Sequence, residues 1–298
     1  MRRKFMSMAL TAAMVLSMAA TPVFAEDTAS DEGFNLNLCI ASEPQTIDPA
    51  LNSAVDGAIM CNHMFEGLAK WVNDGEGNAV TAPGQAESWE KAENEDGTVT
   101  YTVKLRDGIK WSDGKDVTAG DFEYSWKRLV SPETAADYNY MLDGVVNANE
   151  IIAGEKDPDE LAAKALDDKT FEVTLTTDLP YFEELCAFPA MMPVREDMIE
   201  KAGDQWTFDT STYISNGAYK LKEWTHNSQI VVEKNENYYD VENLGPETIT
   251  FKLMDDQNAM LSGFNSGELD FIEDVPQAEI ANLIASGDMK IVDYIGTY

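Results

Sequence analysis

The chain has 298 residues, 44 % of them hydrophobic and 25 % charged, with a formal net charge of -33. A field of that sign repels nucleic acid and anionic lipid, so neither is expected as a partner. Three cysteines and two histidines exclude a disulfide-built scaffold and argue against histidine-rich metal sites or repeated acid–base dyads.

Arg2, Arg3 and Lys4 precede an apolar run from Met6 to Ala20, and Pro22 stands before Val23-Phe24-Ala25. A basic start, a short apolar core and an A-x-A-like exit make residues 1–25 a secretory signal peptide, cut after Ala25. The apolar run is too short for a membrane span, and no later segment is longer. Once cleaved, the chain is therefore expected to have no membrane span and to be periplasmic or extracellular. Cys39 lies well beyond the apolar core, so no lipobox is seen. The cysteines leave two possibilities open: a Cys39–Cys61 disulfide, or three buried thiols.

Residues 26–33 are polar and expected to form a disordered leader. Phe34 to Ile40 alternates as a strand, and Asp48-Pro49 marks a turn. Ala58 to Leu68 reads as a helix, and the Asn73–Asn78 cluster as a hairpin loop. Val99 to Leu105 alternates after the turn signal Asp96-Gly97. Thr118 is the expected cap of a helix bearing Phe122, Trp126 and Leu129, with Asp121 in the capping-box position. Phe171 to Leu175 is a strand, followed by a helix from Tyr181 to Phe188.

Beyond Pro193 the pattern changes. Ala218–Trp224 and Gln229–Lys234 flank a loop as a hairpin. Thr248–Leu253 is a strand, Gln257–Phe264 a helix, and Leu269–Ile272 a strand. Pro276–Ala285 is a helix and Met289–Ile295 a last strand. This succession predicts an α/β layer, while residues 70–192 read as an α+β insert. A final strand with nothing after it would leave ladder groups unsatisfied, so the chain is expected to be C-terminally truncated.

No catalytic motif is present: there is no G-x-S-x-G, H-E-x-x-H or P-loop. His63 and His226 fall in a helix and a hairpin turn, and a nucleophile needs a base poised beside it. The expectation is a protein that is not an enzyme, with no cofactor and no metal site. His63 and Glu66, at i and i+3, read as a satisfied helix pair. Trp89, Trp111, Phe122, Trp126 and Trp224 read as core, and Asp113-Gly114 and Asn216-Gly217 as turns.

Five collinear segments carry a family resemblance. They are Glu43-Pro44-Gln45-Thr46-Ile47-Asp48-Pro49, Phe65-Glu66-Gly67-Leu68, Ala86–Trp89 with Tyr101–Asp121, Ser215–Leu221, and Ser266-Gly267-Glu268-Leu269-Asp270. Together they resemble the extracytoplasmic solute-binding proteins of peptide and nickel ABC importers (family 5), and within them the oligopeptide-binding branch. The resemblance implies a periplasmic-binding-protein-like two-lobed clamp of the cluster C type. Residues 34–69 and 193–298 would form the first lobe, 70–192 its inserted subdomain, and the second lobe would fall after 298. It implies a monomer that captures oligopeptides and delivers them to ABC permease subunits with their ATPases. Ser53, Ala54 and Val55 would offer main-chain groups to an extended peptide, Tyr138 would line a pocket, and Glu273 and Asp274 would be polar cleft residues. The same fold also suits a nickel chelate, haem or an oligosaccharide. A clamp with one jaw could equally be a fragment without function of its own.

Overall fold

Alternating apolar positions place one face of a strand inward, and the computed structural model, which describes residues 33–272 and 274–287, builds its sheets on that period. In chain order the first elements are β1 (Asn35–Ile40), α1 (Val55–Met64), the hairpin β2 (Ala69–Asn73) and β3 (Ala79–Pro83), β4 (Ala86–Glu93) and β5 (Val99–Leu105). Then come α2 (Ala119–Val130), α3 (Ala148–Ile152), β6 (Ala163–Asp167), β7 (Thr170–Leu175), α4 (Phe182–Leu185) and α5 (Glu196–Ala202). The last are β8 (Tyr219–Thr225), β9 (Gln229–Lys234), β10 (Thr248–Leu253), α6 (Gln257–Ser266) and α7 (Ile280–Ser286). The expected signal peptide, leader residues 26–32 and the strand Met289–Ile295 lie outside the described residues.

One four-stranded sheet runs β1-β10-β9-β8, and a second runs β4-β5-β7-β6. β1 is parallel to β10, in register from Asn35 opposite Thr248 to Ile40 opposite Leu253. The other neighbours in both sheets are antiparallel. Val99, Tyr101, Val103 and Leu105 all point inward from β5, as their alternation requires. They meet Phe122, Trp126 and Leu129 of α2 in one continuous core that also takes in Ile230, Val232, Ile249 and Phe251 of the first sheet. Trp126 keeps its indole N–H satisfied inside that core by donating to the Met191 carbonyl at 3.0 Å. A smaller cluster of Met260, Leu269 and Ile272 lies under α6.

α2 starts where its capping chemistry places it, the Asp121 carboxylate accepting the Thr118 N–H at 2.8 Å. Other boundaries moved. α1 begins three residues before Ala58 and stops at Met64, because Phe65 turns extended and the Glu66 main chain is taken by the Asn216 side chain. The helix expected over Tyr181–Phe188 shrinks to α4. The Cys186 carbonyl instead receives the Ala69 N–H at 3.4 Å, and Pro189 follows. The strand expected at Leu269–Ile272 is a single parallel bridge of Phe271 to Leu38, and the helix expected from Pro276 begins only at Ile280. β4 and β6 were not anticipated, since exposed polar residues break their apolar alternation.

Among the aromatic residues expected in the core, Trp111, Phe122 and Trp126 are fully buried, whereas Trp89 and Trp224 are half-buried. Cys61 and Cys186 are buried free thiols, and Cys61 donates to the Ile47 carbonyl at 3.5 Å, so no Cys39–Cys61 disulfide forms. No described helix is long and apolar enough to cross a membrane.

Candidate functional site

Two buried polar knots hold the segment that runs from β1 into β2. Asp48 is 1 % exposed and takes both guanidinium nitrogens of Arg128, at 2.9 and 2.6 Å, and the Trp206 indole N–H at 3.0 Å. The Tyr213 hydroxyl donates to the neighbouring Ile47 carbonyl at 2.7 Å. In the second knot, the Asn216 side chain accepts the Glu66 N–H at 3.1 Å and donates to the Glu66 carbonyl at 2.9 Å. The Glu66 carboxylate is bonded by Tyr238, by Tyr239 at 2.8 Å and by Gln85 at 3.0 Å, with Lys70 at 3.3 Å. Burial and the Glu66 charge beside it push the Tyr238 hydroxyl far up. His63 and Glu66 are thus not a helix pair, because Glu66 lies past the helix end and His63 bonds the Ile59 carbonyl at 2.7 Å.

These knots fix the wall of a cleft of about 960 Å³. It lies where the end of β1 runs on through Glu43, where the chain enters α1, and where β10, α6, Phe271 and Asp274 converge. Ser53, Ala54, Val55 and Asp274 all line it, and Glu273 lies outside the described residues. Tyr138 is not brought there: it packs edge-on against Phe188 at 5.0 Å and near Tyr140 at 5.8 Å.

The entry to α1 leaves main-chain groups open. Ala54 is extended, with φ -119° and ψ 154°. Its N–H goes to Asn52 Oδ1 at 3.3 Å, and its carbonyl accepts Asn52 Nδ2 at 3.1 Å and the Ala58 N–H at 3.0 Å. Among the described residues nothing bonds the Ser53 N–H or carbonyl, or the Val55 N–H. Val55 opens a helix, where the first N–H groups have no partner within the helix. Its side chain is 79 % exposed.

Charge in the cleft is acidic. Glu43 accepts from His226 Nδ1, from the Asn227 N–H at 2.9 Å and from the Trp224 indole at 2.9 Å. Burial pushes its carboxyl up, but these donors outweigh that and hold it below the usual glutamate value. Asp56 accepts from the Ser42 hydroxyl at 2.7 Å and from the Gly57 N–H at 3.0 Å. Sequence reasoning singled out neither Glu43 as a side chain of the cleft nor His63, Met260 and Phe271 as its lining. Glu43 had a visible signal, standing at the head of the E-P-Q-T-I-D-P segment. Among the described residues no cluster of three or more histidine, cysteine, aspartate or glutamate side chains is placed to hold a metal ion.

These elements make an α/β sheet with a cleft at the end of its parallel strand, joined through one core to an antiparallel sheet that packs against α2. The model of the bacterial extracellular solute-binding proteins, family 5 (middle region), matches residues 81–298, and the chain belongs to that family. It is 38 % identical to the periplasmic oligopeptide-binding protein OppA of Salmonella typhimurium over 262 residues, 86 % of this chain and 47 % of that protein. It is 35 % identical to the oligopeptide-binding protein OppA of Bacillus subtilis over 268 residues, 88 % and 48 % of the two chains. The crystal structure of Haemophilus influenzae OppA in complex with RPPGFSPFR superposes with a TM-score of 0.79 at 35 % identity, covering 86 % of this chain and 49 % of that one. The chain spans about half the length of the curated relatives it matches.

Proposed function

We propose that this protein is the extracytoplasmic substrate-binding component of an ABC importer, capturing oligopeptides and delivering them to membrane permease subunits driven by their ATPases. In this reading it is exported, monomeric and without catalysis. Residues 34–69 and 193–298 act as one lobe carrying 70–192 as an insert, with Ser53, Val55 and Asp274 in the ligand wall. The observation that carries it is the open main chain at Ser53 and Val55, set in a large cleft. An extended peptide docks on such a wall through its backbone, which gives affinity whatever its side chains. The oligopeptide-binding relatives support the ligand class.

Val55→Pro tests this directly. Proline is tolerated at the first position of a helix and keeps the preceding residue extended, as Ala54 already is, so the substitution removes one donor and little else. Calorimetric titration with short peptides is expected to show affinity falling about fivefold to tenfold in the variant, with an unchanged melting temperature. Full peptide affinity in Val55→Pro removes the main-chain wall from the reading. Saturation by a nickel chelate, haem or an oligosaccharide, with peptides inert, removes the peptide.

A further inference from the structure

We infer that His63 is a specificity-determining residue of the cleft, its Nε2 accepting a hydrogen bond from a cationic ligand side chain, lysine or arginine, laid over α1. The inference rests on the peptide reading and deepens it.

The tautomer follows from one contact. His63 Nδ1 lies 2.7 Å from the Ile59 carbonyl. A carbonyl can only accept, so Nδ1 carries the proton, and in the neutral ring Nε2 keeps its lone pair. The ring is held in place by the edge-on face of Phe251 at 5.1 Å and by Tyr219 at 6.2 Å. Burial lowers the imidazole below the usual histidine value, against the pull of the Ile59 carbonyl, and so keeps it neutral at pH 7. No hydrogen bond to Nε2 is formed among the described residues, and Nε2 is not among their sealed, unsatisfied polar atoms. Nε2 is therefore not sealed off, and His63 is one of the residues lining the cleft, so the cleft is taken as the space that lone pair serves.

The surroundings select the donor. The carboxyl side chains among the described residues lining the cleft are Glu43, Asp56 and Asp274, the Cys39 thiol is the other ionisable group besides His63, and no lysine or arginine is among them. Glu43 and Asp56 spend their oxygens on fixed donors, which leaves His63 Nε2 as an acceptor without a partner among the described residues. A neutral acceptor in a cleft lined by three carboxyl side chains and no cationic one favours a cationic donor and disfavours an anionic one.

The test uses the full chain, labelled with ¹⁵N, at pH 7. Long-range proton–nitrogen spectra of its two histidines should show His63 protonated on Nδ1 alone. Adding Ala-Lys-Ala should move the His63 Nε2 resonance together with the Ser53 and Val55 amides. Ala-Lys-Ala should also bind about tenfold more tightly than Ala-Leu-Ala, with Ala-Glu-Ala weakest. His63→Phe keeps an aromatic ring against Phe251 and should erase the lysine preference, so that Ala-Lys-Ala and Ala-Leu-Ala bind alike. Should that variant not fold, the spectra of the unaltered chain decide alone. A proton on Nε2, or Ser53 and Val55 amides that respond to Ala-Lys-Ala while Nε2 does not, overturns the inference and leaves the peptide reading standing. Peptides that move neither overturn both.

Discussion

The Asp48 side chain is buried, at 1 % exposure, and the donors around it are aimed at its carboxyl oxygens. Arg128 supplies a two-pronged ion pair, Trp206 an indole N–H, and the Ala50 N–H closes the local turn at 3.0 Å. Such a pair adds little net stability over a well-packed apolar pair, but breaking it strands a charge. Asp48→Asn leaves the Arg128 guanidinium, whose side chain is 14 % exposed, without its counter-ion. The expected loss is about 3 kcal/mol in urea unfolding, and an unshifted midpoint would show that the pair is dispensable. From the sequence, Asp48-Pro49 read as a turn, and the turn is there. The ion pair was not legible, because Arg128 is 80 residues further on and only the packing of α2 against this segment brings it near.

At the scale of elements, strong periods were legible and weak ones were not. β5, β7, β10 and α2 fall within a residue or so of their expected spans, since each presents one apolar face and a clear turn or cap at its edge. α1 ended early for a reason no local window contains. Asn216 replaces a ladder partner for Glu66, and the Gly217 N–H donates to the Met64 carbonyl at 2.8 Å. Asn216-Gly217 read as turn chemistry, but the glycine serves a close backbone approach. A Cβ there would lie 2.6 Å from the Met64 carbonyl carbon and 2.7 Å from the Phe65 nitrogen. Backbone atoms cannot step aside as a flexible side chain can, so Gly217→Ala is expected to cost about 1–3 kcal/mol. Thermal unfolding checks this, and a variant as stable as the parent would mean that the two segments can separate at no cost.

For the whole molecule, a charge of -33 is a standing self-repulsion that the fold must overcome. Adding sodium chloride from about 10 mM to about 200 mM shortens the screening length from about 30 Å to under 10 Å. The melting temperature is expected to rise by a few degrees over that range, and equally with potassium chloride. A fall would mean that the surface ion pairs outweigh the repulsion. The same field makes the cleft wall a poor place for an anion.

What the sequence by itself determined is what short-range physics governs: the alternation of strands, the cap of α2, the turns, the sign of the field, and a family signature spread in order along the chain. Tertiary structure alone decided which of those pieces meet. The cleft joins the end of β1, the start of α1, β10, α6 and Phe271, which together span more than 200 residues of the chain. It set the α1 residue His63 in the lining of the cleft, placed Glu43 against His226, and kept Tyr138 beside Phe188. The reason is physical: a side chain's period records only which way it faces, whereas its neighbours are chosen by burial and by the need to satisfy every enclosed polar group.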